Sequence, residues 1–147
     1  MTTRMRSVMA ALFLVLGAGA CSTQKTPLAR SAQVPLADGN VKSKALSDGA
    51  TRVIVKIEHL VPPSTLRPNA TTYVVWAQPR MEPGDPVQPS PEALGALELD
   101  QNLTGRLDMV TRLIDFEVFV TAEPSAGVAT PGGDRIAWAA VRRTAKR

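Results

Sequence analysis

Apolar and polar residues alternate with a period of two in short blocks from Thr51 onward. The alternation is clearest in residues 53–58 and 115–123, while residues 73–76 are apolar at every position. A period of two is typical of a strand with one buried face, and a fully apolar block is typical of a central strand covered on both faces. Three further blocks complete six predicted strands: residues 94–99, residues 106–109, and a block that contains Ile136, Trp138 and Ala140.

Glycine and proline separate these blocks, as turns between neighbouring strands require. Residues 50–143 therefore hold six to seven predicted strands and no amphipathic helix, which predicts an all-β fold. The expected architecture is a small antiparallel β-sandwich of the Ig-like type, with two sheets around one apolar core. The connection from Pro79 to Pro91 holds five prolines, so we expect it to cross between the sheets or to cover an edge.

Residues 22–49 are rich in small and polar side chains, contain no aromatic residue and show no sustained period. Such a segment buries too little apolar surface to offset the entropy lost on ordering it. We therefore expect residues 21–49 to form a lipidated N-terminus and a flexible linker that spans roughly 30 Å on average. The remaining boundaries place the sandwich at residues 50–143 and a basic tail at residues 144–147.

The first 20 residues have the pattern of a bacterial signal peptide. Arg4 and Arg6 precede an apolar run over residues 8–16, and small residues at positions 17–20 lead to Cys21. Cys21 is the only cysteine of the sequence, and a thiol at this place is the nucleophile that accepts the diacylglyceryl group of a lipoprotein. The predicted lipidation site is therefore Cys21, with fatty acyl chains such as palmitate as the attached groups.

A second interpretation of the same segment stays open, because a lipobox usually carries leucine where this sequence has Ala18. Ala18 and Ala20 also fit an Ala-x-Ala cleavage site, which would release a soluble protein with a free Cys21 thiol. A membrane-spanning helix is disfavoured, since the apolar run that ends at Cys21 has 14 residues and a span needs about 20.

The predicted anchor places the protein in the cell envelope, where it is tethered to a membrane through lipid. Two or more acyl chains hold a protein stably, because each buried CH2 contributes about 0.8 kcal/mol. Ser22 at the second mature position is similar to the outer-membrane lipoproteins of enteric bacteria, which favours the outer membrane over the inner one. An envelope protein of unknown identity is the second expected partner.

The sequence has a net charge of +4 and a pI of about 9.7, but its charges are divided unevenly. Residues 50–141 hold 7 Lys or Arg and 11 Asp or Glu, whereas residues 142–147 hold four basic residues and no acidic one. The predicted domain is therefore acidic and only its tail is basic. This distribution does not predict a nucleic-acid partner.

Candidate catalytic chemistry is scarce in this sequence. His59 is the only histidine and continues the apolar parity of residues 53–57, so we expect it to have a structural role at the end of that strand. The acidic residues show no EF-hand spacing, and Asp115, Glu117 and Glu123 alternate as on a solvated sheet face. We therefore expect no enzyme activity, no catalytic residue, no cofactor and no metal site.

Aromatic residues are the candidate contact residues. Phe119 lies on the same parity as those acidic residues, so it is either an exposed contact residue or buried because the strand is covered on both sides. Tyr73, Trp76 and Trp138, together with the proline-rich connection, suggest an alternative function in binding glycans or other small ligands, because aromatic faces stack on sugars. The favoured expectation is a non-catalytic envelope lipoprotein whose sandwich serves protein contact or a structural or sensory role.

Six short motifs lie along residues 53–140: Tyr73-Val74-Val75-Trp76, Pro79, Leu94-Gly95-Ala96-Leu97, Gly105, Val120-Thr121-Ala122-Glu123-Pro124 and Pro131-Gly132-Gly133. Together they resemble the extracytoplasmic C-terminal domain of anti-sigma-K-type factors. That resemblance implies a small β-sandwich beyond the membrane, with a role in sensing or partner contact. The zinc spacing of His and Cys that accompanies sigma-factor binding in the family is not found in this sequence, so sequestration of a sigma factor is not implied.

Overall fold

The computed structural model describes residues 22–142, so the predicted signal segment, Cys21 and the basic tail at residues 144–147 lie outside the described residues. Within residues 22–142, ten β-strands form two five-stranded antiparallel sheets. The predicted small antiparallel β-sandwich is therefore confirmed, with more strands than the six or seven expected.

The strands follow one another with short connections, apart from the proline-rich one. In chain order they are β1 (Gln24–Pro27), β2 (Ala29–Arg30), β3 (Asp38–Ala45), β4 (Thr51–Glu58), β5 (Thr72–Pro79), β6 (Glu92–Ala96), β7 (Glu98–Leu99), β8 (Gly105–Thr111), β9 (Asp115–Glu123) and β10 (Ala137–Arg142). A short helix, α1 (Pro63–Leu66), lies between β4 and β5. Sheet I has the strand order β1-β3-β4-β8-β7, and sheet II has the order β2-β10-β9-β5-β6.

The main core lies between the two sheets and follows from the alternation along the strands. In β4, Val53, Val55 and Ile57 are buried, while the residues between them face outward. In β9, Phe116 and Val118 are buried in the same cluster from the opposite sheet. Each such side chain contributes about 1.5–3 kcal/mol when it is fully buried, so the period-two blocks hold the two sheets together.

The flexible linker expected over residues 22–49 is wrong, because this segment forms strands of both sheets. β3 pairs with β4 over eight residue pairs, from Asp38 opposite Glu58 to Ala45 opposite Thr51. β1 then pairs with the other edge of β3, and β2 pairs with β10 in sheet II. The sandwich therefore begins at β1 and not at residue 50.

The composition of this segment conceals its strands because each strand adds little to the core. Val41 is the apolar side chain that β3 buries, while Lys42 and Lys44 face solvent. Main-chain pairing with β4 supplies the rest of the stability, and such pairing does not depend on apolar composition. Composition indicates how much apolar surface a segment can bury by itself. It therefore underestimates the tendency of a segment to form a strand when that strand pairs with a well-packed neighbour.

The predicted strand at residues 94–99 crosses from one sheet to the other. Its first part is β6 in sheet II, its second part is β7 in sheet I, and Leu97 between them is buried in the core. The proline-rich connection does not cross between sheets, because it joins β5 to β6, which are neighbours in sheet II. Its residues 81–90 are exposed.

One local expectation is also wrong. His59 leaves the parity of β4, because its backbone is left-handed with φ of 57° and its side chain is exposed. Leu60 takes the buried position instead. In β10, Ala137, Ala139 and Val141 face the core, which leaves Trp138 on the outer face of sheet II.

Candidate functional site

The outer face of sheet II gathers three of the aromatic residues singled out by the sequence. Trp76 lies opposite Phe119 in the β5–β9 pairing, and Phe119 lies opposite Trp138 in the β9–β10 pairing. The rings of Trp76 and Phe119 have centroids 6.4 Å apart and an interplanar angle of 16°. These residues form a second apolar cluster together with Val74 and Val128.

This outer cluster is a packed layer and not an open contact surface. Trp76 is fully buried and Phe119 is 2% exposed, while Trp138 is half-buried. Val128 covers the cluster from the loop between β9 and β10, and the guanidinium of Arg135 lies 4.0 Å from the centroid of the Phe119 ring. The contact role predicted for Trp76 is therefore wrong. Of the two alternatives for Phe119, the structure shows the buried one, because the strand is covered on both sides.

Tyr73 is also unavailable for contact, because it faces the main core and is fully buried. Its hydroxyl donates a hydrogen bond of 2.7 Å to the carbonyl oxygen of Val61. Burial disfavours the phenolate and raises the pKa of Tyr73 to about 12. The glycan-binding alternative thereby loses two of the three aromatic faces on which it depended.

A buried polar network lies beside the outer cluster and centres on Glu123, whose side chain is 1% exposed. Its Oε1 accepts hydrogen bonds from the Thr121 hydroxyl at 2.6 Å and from the backbone N–H groups of Gly132 at 2.8 Å and Gly133 at 3.1 Å. Its Oε2 accepts a hydrogen bond of 2.9 Å from Arg67. The Thr121 oxygen in turn accepts a hydrogen bond of 2.9 Å from the indole N–H of Trp76.

The network keeps the Glu123 carboxylate ionised despite its burial. Burial acts to raise the pKa of Glu123, but the hydrogen bonds from Thr121, Gly133 and Gly132 and the charge of Arg67 outweigh it, so the pKa is lowered. A Cβ at position 133 would meet the backbone oxygen of Ala122 at 2.6 Å, so glycine is needed for this close approach. The expectation that Glu123 lies on a solvated face is wrong.

The sequence did contain signals for this network. Glu123-Pro124 and Pro131-Gly132-Gly133 belong to the motifs that carry the family resemblance, but alternation alone did not indicate that the second motif folds over the first. Arg67 was not singled out, because it lies 56 positions from Glu123 along the chain.

The outer face of sheet I has a different character, and we call it the basic face. Its outward positions carry six basic residues: Lys25, Lys42, Lys44, Arg52, Lys56 and Arg106. The described residues hold 12 Lys or Arg and 13 Asp or Glu, so half of the positive charge of a nearly neutral domain lies on one face. The same face also carries four acidic residues: Asp38, Glu58, Glu98 and Asp108. All four lysines of residues 22–142 are among them.

The basic face places like charges side by side. Lys25 lies opposite Lys42, and Lys56 lies opposite Arg106, in register across neighbouring strands. Three of the cations have acidic neighbours on the same face: Arg52 pairs with Asp108 at 2.5 Å, Lys56 pairs with Glu58, and Arg106 lies opposite Glu98. A shallow groove of about 210 Å³ lies on this face and is lined by Lys25, Asn40, Lys42, Ile54, Lys56 and Arg106.

The positive charge on this face lowers the pKa values of two of its acidic residues. A hydrogen bond from Arg52 lowers the pKa of Asp108, and a hydrogen bond from Lys56 lowers the pKa of Glu58. Lys25, Lys42 and Lys44 form no ion pair with another described residue. This face was not predicted, because half of its lysines and arginines lie in the segment interpreted as a linker.

Among residues 22–142, no group of three or more His, Cys, Asp or Glu side chains is placed to hold a metal ion. Nor does any helix of residues 22–142 reach the length and apolarity that crossing a membrane would require.

Comparison with known proteins adds little to this description. No model of a known protein family matches the sequence, and no curated protein matches it. A solved structure with a similar fold is that of the clock protein EA4, with a TM-score of 0.49 and 16% sequence identity, over 80% of this chain and 93% of that one. At this level of similarity the comparison carries no inference about function.

Proposed function

We propose that the chain is a non-catalytic lipoprotein of the bacterial cell envelope, tethered through Cys21 and making contacts through its β-sandwich. The observation that carries the proposal is the order of residues 1–21: basic residues, an apolar run, small residues and then the only cysteine of the sequence. This is the order that a lipoprotein signal peptide requires, because cleavage and lipidation occur at the residue after the small side chains.

The start of the sandwich supports a short tether. β1 begins at Gln24, three residues after Cys21, and three residues extend at most about 10 Å. A lipid on Cys21 would therefore hold the edge of sheet I close to the headgroups. A flexible linker over residues 22–49 would instead have allowed a separation of roughly 30 Å.

The buried polar side chains support a role in contact and not in chemistry. Glu123 and Thr121 hold the loop between β9 and β10 over sheet II. Gln78 likewise holds the proline-rich loop through a hydrogen bond of 2.5 Å from its amide to the carbonyl oxygen of Pro89. The resemblance to the extracytoplasmic domain of anti-sigma-K-type factors points in the same direction, toward sensing or partner contact in the envelope.

The test is the intact mass of the full chain purified from bacterial membranes, alongside the variants Cys21→Ala and Ser22→Ala. We expect a mature N-terminus at Cys21 that carries the mass of the acyl groups. Cys21→Ala should lose both this mass and its membrane association, since alanine has no nucleophile. Ser22→Ala keeps the thiol and should retain both.

A different processing product would overturn the proposal. An unmodified Cys21 thiol in the soluble fraction would mean that cleavage follows the Ala-x-Ala interpretation and that the protein diffuses freely. The fraction in which the protein is found and the mass at its N-terminus therefore decide between the two interpretations of residues 1–21.

A further inference from the structure

We propose that the basic face of sheet I lies against the anionic lipid headgroups of the membrane to which the chain is tethered. This inference rests on the proposed function, because the tether is what brings the face to a membrane. It assigns a partner to the basic face, which no other part of the sandwich covers in residues 22–142.

The position of the tether selects this face. β1, the strand nearest to Cys21, is an edge strand of sheet I, and Lys25 on β1 belongs to the basic face. The attraction between a basic residue and a negative membrane surface falls off within roughly 8 Å at physiological ionic strength. A tether of about 10 Å or less keeps Lys25 and its neighbours near that range.

The arrangement of charges favours an anionic surface as the occupant. Lys25 and Lys42 repel each other in the free protein, because they lie directly opposite on neighbouring strands and neither forms an ion pair with a described residue. An extended negative surface relieves this repulsion. Phosphate groups of lipid headgroups also match the hydrogen-bond donors of lysine and arginine.

The apolar residues of the face suit the boundary between headgroups and water. Val110 is 52% exposed and lies opposite Arg52, and Ile54 is half-buried between β3 and β8. Lysine side chains keep their charged ends in the polar layer while their stems cover apolar neighbours. A face with apolar residues among cations is therefore adapted to an interface with anionic lipid.

The experiment compares the accessibility of one residue on each side of the sandwich. The full chain is reconstituted into vesicles of phosphatidylcholine, with or without phosphatidylglycerol, as Val110→Cys or Val87→Cys. Both positions are exposed valines, at 52% and 75%, and Val87 lies in the proline-rich loop of sheet II. Intact mass first reports whether Cys21 is acylated, so that the new thiol is the one that reacts with maleimide.

We expect phosphatidylglycerol to slow the labelling of Val110→Cys at least about fivefold and to leave Val87→Cys unchanged. High salt should restore the fast rate, since it screens the attraction. Equal rates for Val110→Cys in the two kinds of vesicle, on an acylated chain, would overturn the docking and leave the anchor intact. Labelling of Val110→Cys that is slow in native membranes but fast in phosphatidylglycerol vesicles would also overturn the docking and would point to an acidic protein as the occupant.

Charge reversal provides the matched test. The double variant Lys25→Glu with Lys42→Glu should abolish the slowing, whereas Arg30→Glu with Arg142→Glu changes the net charge equally at exposed positions of sheet II and should preserve it. If Cys21 proves unacylated, the proposed function fails, and sedimentation with the same vesicles decides the docking. Salt-sensitive sedimentation with phosphatidylglycerol vesicles would then support it, and its absence would overturn it.

Discussion

The two outer faces of the sandwich differ in what they leave available. On sheet II, Trp76 and Phe119 pack under the chain's own loop, and Glu123 is buried with a complete set of hydrogen bonds. On sheet I, the outward residues form an open surface on which Lys25 faces Lys42. An aromatic pair is thus no sign of a binding surface here, whereas the open row of cations is the surface for which we propose a contact with lipid.

Truncating the largest buried side chain of the outer cluster should produce the largest loss of stability. Trp76→Ala removes a fully buried indole and its hydrogen bond to Thr121, and we expect it to lower the free energy of unfolding by about 3–5 kcal/mol. Trp138→Ala, on the same face but half-buried, should cost less than about 2 kcal/mol. Urea unfolding of both variants measures the difference, and equal small losses would show that the loop does not cover a packed layer.

Removing the buried charge should have the next largest effect. Glu123→Gln weakens the hydrogen bonds from Gly132, Gly133 and Arg67 to a carboxylate, and we expect a loss of about 1.5–3 kcal/mol at neutral pH. Glu117→Gln lies on the same strand and face, but Glu117 is a half-exposed partner of Arg135, so its loss should stay below about 1 kcal/mol. Similar losses for the two variants would mean that burial of Glu123 contributes nothing.

The same carboxyl makes stability depend on pH in a predictable direction. Because the folded state lowers the pKa of Glu123, the unfolded chain binds its proton more readily at acidic pH. The stabilisation is complete above the unfolded value of about 4.3 and is lost as the pH falls through the folded pKa. The difference in unfolding free energy between wild type and Glu123→Gln should therefore be constant near neutral pH and shrink below about pH 4.3.

The same contrast shows how far the sequence predicts this fold. β4 and β9 were predicted because their own side chains, such as Val55 and Phe116, form the core. β1 and β3 were missed because they depend on pairing with a neighbour, which leaves little mark on composition. Alternation is a local signal, so it identifies strands that bury many apolar side chains and overlooks those that bury few.

The prediction of the outer face of sheet II was limited in the same way, because alternation is a local signal. Alternation correctly placed Phe119 and Glu123 on the face opposite to Val118, but it could not indicate what covers that face. The covering residues, Arg67 and Gly133, lie far from β9 in the chain or beyond a loop. A parity argument therefore assigns a residue to a face, and only the tertiary structure decides whether the face is open.

The smallest effect is expected on the open face, and it should have the opposite sign. Lys25→Glu replaces a like-charge pair with an attractive one opposite Lys42, so we expect the free energy of unfolding to rise by about 0.2–1 kcal/mol at low salt. The gain should vanish in 1 M salt, where the screening length is about 3 Å. Urea unfolding at two salt concentrations measures it.

Arg30→Glu is the matched control, because Arg30 is exposed on the edge strand β2 of sheet II and its replacement should change stability by no more than about 0.5 kcal/mol. A loss of stability in Lys25→Glu, or a gain that high salt leaves intact, would show that the lysines of the basic face do not repel one another. A gain that salt removes would mean that the wild-type lysine at position 25 makes the protein less stable than a glutamate would. The same substitution is expected to weaken the contact with anionic lipid. The proposed contact with the membrane would then explain why the chain carries two lysines that repel each other, Lys25 and Lys42.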